Sequence, residues 1–333
     1  MALSRRLFAT SLVFSAIAGA ADPTLLNLVM PNARVVVGIH LERIMASPIG
    51  QQMDAQIRNS NPEIRQIFEG TGFDPARDLK EVVIAATGRE KNGPSLVLVR
   101  GSLDLAKIAA FSSTQGVPPT NYEGVPVMMQ RGAQDSAFAL MDNSIAIFGG
   151  IESVHQAIRR RASGAAFDGE LAAKVAALSR RYDAWVISTV PLTEMASRAK
   201  ASNLQQVSDL VNSIQEISGG MRFSPDMEIA ADLVTHSEKD AASVRDAMRF
   251  FASMLSNQQN NPGLKADALK VTLDARTVRI SLHITEEQLK KMNELQMARR
   301  ARQPVAPRPA NSDVVIQSSE GDMGTVTLPP KKD

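Results

Sequence analysis

The chain has 333 residues, of which 44% are apolar, 22% charged and 4% aromatic. It contains no cysteine, which excludes disulfides, a thiolate nucleophile, cysteine zinc sites and cysteine-bound iron–sulfur clusters. A formal charge of +2 excludes a strongly basic nucleic-acid binder, and the apolar fraction excludes a chain that is disordered throughout.

The first segment reads as an address. Residues 1–20 are MALSRRLFATSLVFSAIAGA: Arg5 and Arg6 give a positive start, Leu7 to Ile17 is a short apolar run, and Ala18-Gly19-Ala20 has the A-x-A pattern of a cleavage site. This is the layout of a secretory signal peptide. The apolar run falls short of the roughly 20 residues that a spanning helix needs, so removal is expected and no stable membrane span should remain. Ser4-Arg5-Arg6-Leu7-Phe8 also fits the twin-arginine export pattern, without the usual lysine after it, and both export routes stay open. Loss of Arg5 and Arg6 leaves 35 basic against 35 acidic side chains. The expected location is outside the cytoplasm, either periplasmic or extracellular.

The rest of the chain divides into two similar halves, residues 21–163 and 164–297, and a tail, 298–333. In the first half a short apolar helix pattern at Leu25 leads through Pro31-Asn32 into a β-branched strand, Val35–Ile39. Helical stretches follow over Leu41–Ile57 and Glu63–Glu69. Strands Val82–Ala86 and Leu96–Val99, helix Leu103–Phe111, strands Val125–Gln130, Ala137–Met141 and Ile145–Phe148, and helix Ile151–Arg161 complete the half.

The second half repeats this order. Leu171, Val175 and Leu178 mark a helix, and Trp185–Val190 a strand. Leu204, Val207, Val211 and Ile214 place one apolar face on a helix over Leu192–Ile217. Strands Met221–Phe223 and Met227–Val234 follow around Ser224-Pro225-Asp226. The clearest helix is Glu238–Leu255, with Ala241, Val244, Met248, Phe251 and Leu255 at steps of three and four. Strands Leu269–Leu273 and Val278–Ile284 precede a last helix, Thr285–Gln296, which opens with a capping box, Thr285-x-x-Gln288. The tail is rich in Pro, Arg, Ser and Gly and lacks helical period, as disordered segments do.

This order predicts an α+β fold: two similar halves of antiparallel sheet covered by helices, with ferredoxin-like layers as the nearest template. A single α+β domain whose elements merely alternate is the other arrangement compatible with it.

Five motifs occur together: Leu28-Val29-Met30-Pro31-Asn32-Ala33-Arg34 leading into Val35-Val36-Val37-Gly38, Ser47-Pro48-Ile49-Gly50-Gln51-Gln52, Gly72-Phe73-Asp74-Pro75-Ala76-Arg77-Asp78-Leu79, Leu98-Val99-Arg100-Gly101, and Tyr122-Glu123-Gly124-Val125-Pro126-Val127. In this set the chain resembles uncharacterised bacterial exported proteins of unknown function. The resemblance implies export and an α+β body, and carries no activity, ligand or catalytic residue. Caps and turns account for the same residues: Asp74-Pro75 suits a helix start, Ser47-Pro48 another, Asp78 a cap or a pair with Arg77 or Lys80, and Gly101 and Gly124 strand ends.

Reactive constellations are sparse. His40, His155, His236 and His283 lack metal-ligand spacing; His40 and His283 read as satisfied strand residues, His155 and His236 as solvent-facing. No phosphate loop or G-x-S-x-G is present, and Gly149-Gly150 reads as a tight strand-to-helix turn. Ser197-Arg198-Ala199-Lys200 matches S-x-x-K without its companion motifs. Arg159-Arg160-Arg161, Lys290-Lys291 and Arg299-Arg300 sit where cations favour a helix end. Met128, Met129, Met248 and Met254 read as core filler. No catalytic, cofactor-binding or metal residue is assigned. The sequence points to an exported binding or envelope-associated protein without catalysis, its partner an unknown protein or envelope component and not nucleic acid. An exported hydrolase with dispersed serine or carboxylate residues is the alternative.

Overall fold

The structure, a computed structural model, describes residues 21–51, 69–88, 93–130, 132, 135–191, 208–257, 269–292 and 294. The expected signal peptide, the tail, the Ser197–Lys200 motif and most of the predicted helix over Leu192–Ile217 lie outside them. So do the side chains of Phe251, Met254 and Leu255. One compact unit ends at Lys291, and Met292–Asp333 forms a second, of which positions 292 and 294 are described.

In chain order the first half contributes α1 (Pro23–Leu26), β1 (Val35–His40), α2 (Leu41–Met45), α3 (Pro75–Asp78), β2 (Leu79–Ala86) and β3 (Ser95–Gly101). It continues with α4 (Leu105–Thr114), β4 (Thr120–Tyr122), β5 (Val125–Gln130), β6 (Ser136–Leu140), β7 (Ile145–Gly149) and α5 (Ile151–Ser163). The second contributes α6 (Gly169–Arg181), β8 (Ala184–Ser188), α7 (Ser208–Asn212), β9 (Ile214–Phe223), β10 (Met227–Thr235), α8 (Glu238–Asn257), β11 (Leu269–Asp274) and β12 (Thr277–Ile284). A last helical stretch over 286–292 starts on the predicted capping box. There Thr285 N–H donates to Gln288 Oε1 at 2.8 Å, and Gln288 N–H to Thr285 Oγ1 at 3.3 Å.

All the strands join one 12-stranded sheet in the order β11-β12-β10-β9-β8-β1-β2-β3-β7-β6-β5-β4, and every pairing among them is antiparallel. The halves meet at β1 and β8. From that seam each runs outward in the same way: first strand, second, third, then the final strand of the half beside the third. The layers are those expected, and the connections are simpler than a split crossover, because neighbours in sequence pair directly.

Period-two alternation sorts the strand residues onto two faces. On the first face Val36, Val83, Leu96, Leu98, Ile147, Trp185 and Ile187 are buried beneath α1, α5 and α6, forming the main core across the seam. Val154, Ala157 and Ile158 of α5 and Val175 of α6 supply its cover. On the second face two smaller cores sit at opposite ends of the sheet. Ala241 and Val244 of α8 cover Leu233, Val271 and Val278. At the other end Leu105 and Ile108 of α4 pack with Met128, Leu140 and Ala146.

The local chemistry explains the element starts. Asp22 caps α1 and Asp74 caps α3, each followed by proline in the first turn, where a missing N–H costs nothing. Asp74 Oδ1 accepts the Ala76 N–H at 3.1 Å, and Asp78 pairs with Arg77 at 2.7 Å. Ser47 Oγ accepts the Gly50 N–H at 3.1 Å.

One boundary differs from expectation. Residues 214–217, read as the end of a helix, open the ten-residue strand β9. Isoleucines three apart satisfy a helical step and also fit a strand, and here pairing decides: β9 lies between β8 and β10, in register through Ile217 and Gly220. Gly220 is required there, because a Cβ would sit 2.5 Å from the Ala184 carbonyl and the Tyr182 ring. The three-residue edge strand β4 had no counterpart in the predicted elements.

Candidate functional site

Two features of the sheet stand out: a shut cluster of charges at one end of its first face, and an open apolar stretch in the middle of its second.

The cluster forms where Arg100 of β3, Glu81 of β2 and His40 of β1 lie side by side in register, roofed by α1, α2 and α6. Glu81 has no exposed surface. Its Oε2 accepts from the Asp22 N–H at 3.2 Å and from Arg100 at 3.3 Å. Its Oε1 has no hydrogen-bond partner among the described residues; the nearest charged-type contact is His40 Nδ1 at 3.7 Å. Burial pushes the Glu81 carboxyl above the usual range, against the Asp22 N–H and Arg100, which pull it down.

His40 is 6% exposed, with Nε2 3.2 Å from the Ser179 carbonyl oxygen. Burial and the Arg43 guanidinium lower its pKa below 6.5. The ring is therefore neutral at pH 7, with Nε2–H donating to that carbonyl and the Nδ1 lone pair turned toward Glu81. Asp183, buried just ahead of β8, accepts the Phe223 N–H at 2.7 Å and pairs with Arg43 at 2.6 Å. Asp22 lies 3.4 Å from Arg100.

The cluster holds a serine, a histidine and three acids, the residue types of a hydrolase triad, but not its geometry. The histidine meets the serine's carbonyl, while Ser179 Oγ accepts the Ala21 N–H at 2.9 Å and donates to the Ala176 carbonyl at 3.3 Å. A nucleophile needs its hydroxyl on the base and a path for substrate; this one is fully buried and turned away.

The second feature is best seen along one line across the sheet. Val186, Val37, Ile84, Val97 and Phe148 stand opposite one another on β8, β1, β2, β3 and β7. Beyond Phe148 the line runs under α4 through Phe138 and Met128; beyond Val186 it passes Gly219 and Ala231 to Ile280 and Val271 under α8. Between these covered ends the described residues place no helix. Ile84 is 37% and Phe148 48% exposed, and Val37, Val97 and Val186 are half-buried. Five strands at ~4.8 Å make a floor about 24 Å wide, walled by helices about 10 Å across.

The remaining predicted residues serve the scaffold. His155 does not face solvent: it is half-buried and stacked on Tyr122 at 3.6 Å between ring centres. His236 is exposed, beside Gln215, and His283 pairs with Asp226 at 3.3 Å on the surface. The arginine triplet ties α5 down. Arg159 pairs with Glu152 and donates to Tyr122, Arg160 donates to the Val29 carbonyl, and Arg161 pairs with Asp142. Among the described residues no group of acids and histidines could hold a metal ion, and no helix is long and apolar enough to cross a membrane. Sequence reasoning passed over Glu81 and Asp183, and only a carboxylate inside a β-branched run signalled the first.

The fold and these two features define an α+β protein with a shut polar seam and a sheet whose second face is covered, among the described residues, by helices at its two ends. The sequence matches no family model and no curated protein. Among solved structures, crystal form III of TP0453 shares this fold, with a TM-score of 0.51 at 10% identity over 83% of this chain and 99% of that one. Crystal forms I and IV of TP0453 give TM-scores of 0.48 and 0.47 at 11% and 12% identity, over 83% and 82% of this chain and 98% and 96% of those.

Proposed function

We propose that the protein is exported, loses residues 1–20, and acts by binding: an apolar helical segment of an envelope protein lies on the open stretch of the sheet between α4 and α8. The observation behind this reading is the line from Val186 through Ile84 to Phe148, apolar throughout and half-exposed in its middle. Apolar surface of this kind marks interaction sites more often than it marks bare solvent contact. The walls favour a helix over a flat bilayer, because a helix is about 10–12 Å across and reaches a floor of about 24 Å. The polar cluster supports a non-catalytic role, since its hydrogen bonds go to backbone and its acids to arginines.

The absence of native cysteine makes the test direct. Single cysteines at Ile84 and Phe148, and a control at the exposed Gln130 on β5, would carry a photo-crosslinker in envelope fractions. The same protein adduct from the two face positions and none from Gln130 is expected. No adduct, or equal adducts from all three, would remove the binding reading.

A further inference from the structure

Among the described residues the charge cluster holds more acids than guanidiniums. Around Glu81 the described residues gather three carboxylates, Asp22, Glu81 and Asp183, and two guanidiniums, Arg43 and Arg100, with His40 neutral between them. Glu81 is completely buried, and one of its two oxygens is unmatched. A buried carboxylate without a full set of partners is costly, and evolution commonly neutralises or pairs such a group.

A further cation has a source in the sequence. The expected cleavage site ends at Ala20, so the first residue of the processed chain is Ala21. That residue is 2% exposed, and its nitrogen already lies 2.9 Å from Ser179 Oγ inside the cluster. The next nitrogen, that of Asp22, is 3.2 Å from Glu81 Oε2. Successive backbone nitrogens are about 3–4 Å apart, which places the Ala21 nitrogen within about 7 Å of the Glu81 carboxylate.

We propose that cleavage between Ala20 and Ala21 creates an α-ammonium group that docks in this cluster, on Ser179 Oγ and against the Glu81 carboxylate, and so adds a positive charge to the seam. The step is a hydrolysis: one water is consumed, the carboxylate stays on Ala20, and the released amine of Ala21 takes up a proton. A peptidase of the export pathway supplies the catalysis. As an amide, Ala21 offers one N–H, which Ser179 occupies; as an ammonium it offers three, with a full charge. A free α-amine titrates near pH 8 and is protonated at neutrality. The charged and titratable groups of the cluster it would join are Glu81, Asp22 and Asp183 on the acid side and His40, Arg43 and Arg100 on the other. Processing would then do more than discard the leader: it would lock α1 and α6 against β1, β2 and β3.

This inference rests on the export reading, and two measurements separate the two. The first is the N-terminus of the protein recovered from outside the cytoplasm, read by intact mass; a start at Ala21 is expected, and any other start overturns the cleavage position. The second uses purified chains covering residues 21–333, independent of how the cell processes them. One begins at Ala21, one carries a Gly-Ser extension before it, and one is α-acetylated. The free-amine form should melt at least about 2 °C above the other two, and Glu81→Gln should abolish that gap. Equal melting of all three forms, or a gap that Glu81→Gln leaves unchanged, overturns docking. If Glu81→Gln does not fold, the wild-type amine decides. Docked, it reacts with acetic anhydride at pH 8 about fivefold more slowly than an unperturbed α-amine, as a pKa one unit higher requires; an ordinary rate overturns the proposal.

Discussion

The indole of Trp185 occupies the place where a side chain at position 38 would begin. The two residues face each other across the seam, Gly38 on β1 and Trp185 on β8, and a Cβ at position 38 would lie 2.2 Å from two ring carbons. The ring is itself almost fully buried against the main core. Gly38→Ala must push the indole or spread the strands. It should cost about 1–3 kcal/mol, the usual penalty of overpacking, read as a lower urea midpoint with an unchanged slope.

His40 gives the seam a dependence on pH with a fixed sign. Its folded pKa lies below 6.5, so as pH falls through 6.5 the unfolded chain takes the proton first and stability drops. Histidine resonances followed by NMR should give the His40 ring a titration midpoint below 6.5. The fall in stability below pH 6.5 should be smaller in His40→Gln than in the wild type.

Glu81 acts in the opposite direction while Ala21 remains an amide. Its folded pKa is raised above 4.5, so its contribution is complete below 4.5 and is lost as pH rises through the folded value. In a chain extended before Ala21, Glu81→Gln should therefore flatten the decline of stability with rising pH, measured by denaturation at a series of pH values.

Asp142 holds a surface turn together. Burial pushes its carboxyl up, but the Ser144 hydroxyl and N–H and the Arg161 guanidinium outweigh that and bring it down to about 2. A depressed acid stabilises above its unfolded value of 3.8 and loses that effect as pH falls toward 2. Asp142→Asn should be less stable than the wild type at pH 7, and the difference should close between those two values.

Asp74 tests the capping logic. Its side chain takes the Ala76 N–H, and its own N–H goes to Asp78. Asp74→Ala should cost about 1 kcal/mol, and Asp74→Asn much less, by thermal denaturation.

The open face should tolerate changes that the covered face does not. Ile84→Thr keeps a β-branched side chain on a half-exposed strand and should shift stability by less than about 1 kcal/mol, while Leu98→Ala beneath the helices should cost about 2–5 kcal/mol. If the face binds a partner, crosslinking from Phe148 should fall in the Ile84→Thr background.

Much of this fold was legible because its signals are local. Asp74-Pro75 and Thr285-x-x-Gln288 announce helix starts through groups two or three residues apart, and the structure uses both as caps. Continuous apolar runs at Val82–Ala86 and Leu96–Val99 located two strands of the centre. The seam was not legible, since Val36 meets Ile187 across some 150 positions with no short-range cue. The charge cluster stayed hidden for a related reason. Glu81 looks like an ordinary polar strand start until Asp22, Arg100 and His40 converge on it from three other elements.

The seam between β1 and β8 also sets an order of events. The β2–β3 and β9–β10 hairpins close over short loops, whereas β1 must wait for a partner made some 150 residues later. Distant pairings close slowly because a long stretch of chain loses its freedom before any contact forms. Zipping of the midline should thus be the slow phase of refolding, and until it finishes the valine-rich flank of β1 is the surface most in need of a chaperone.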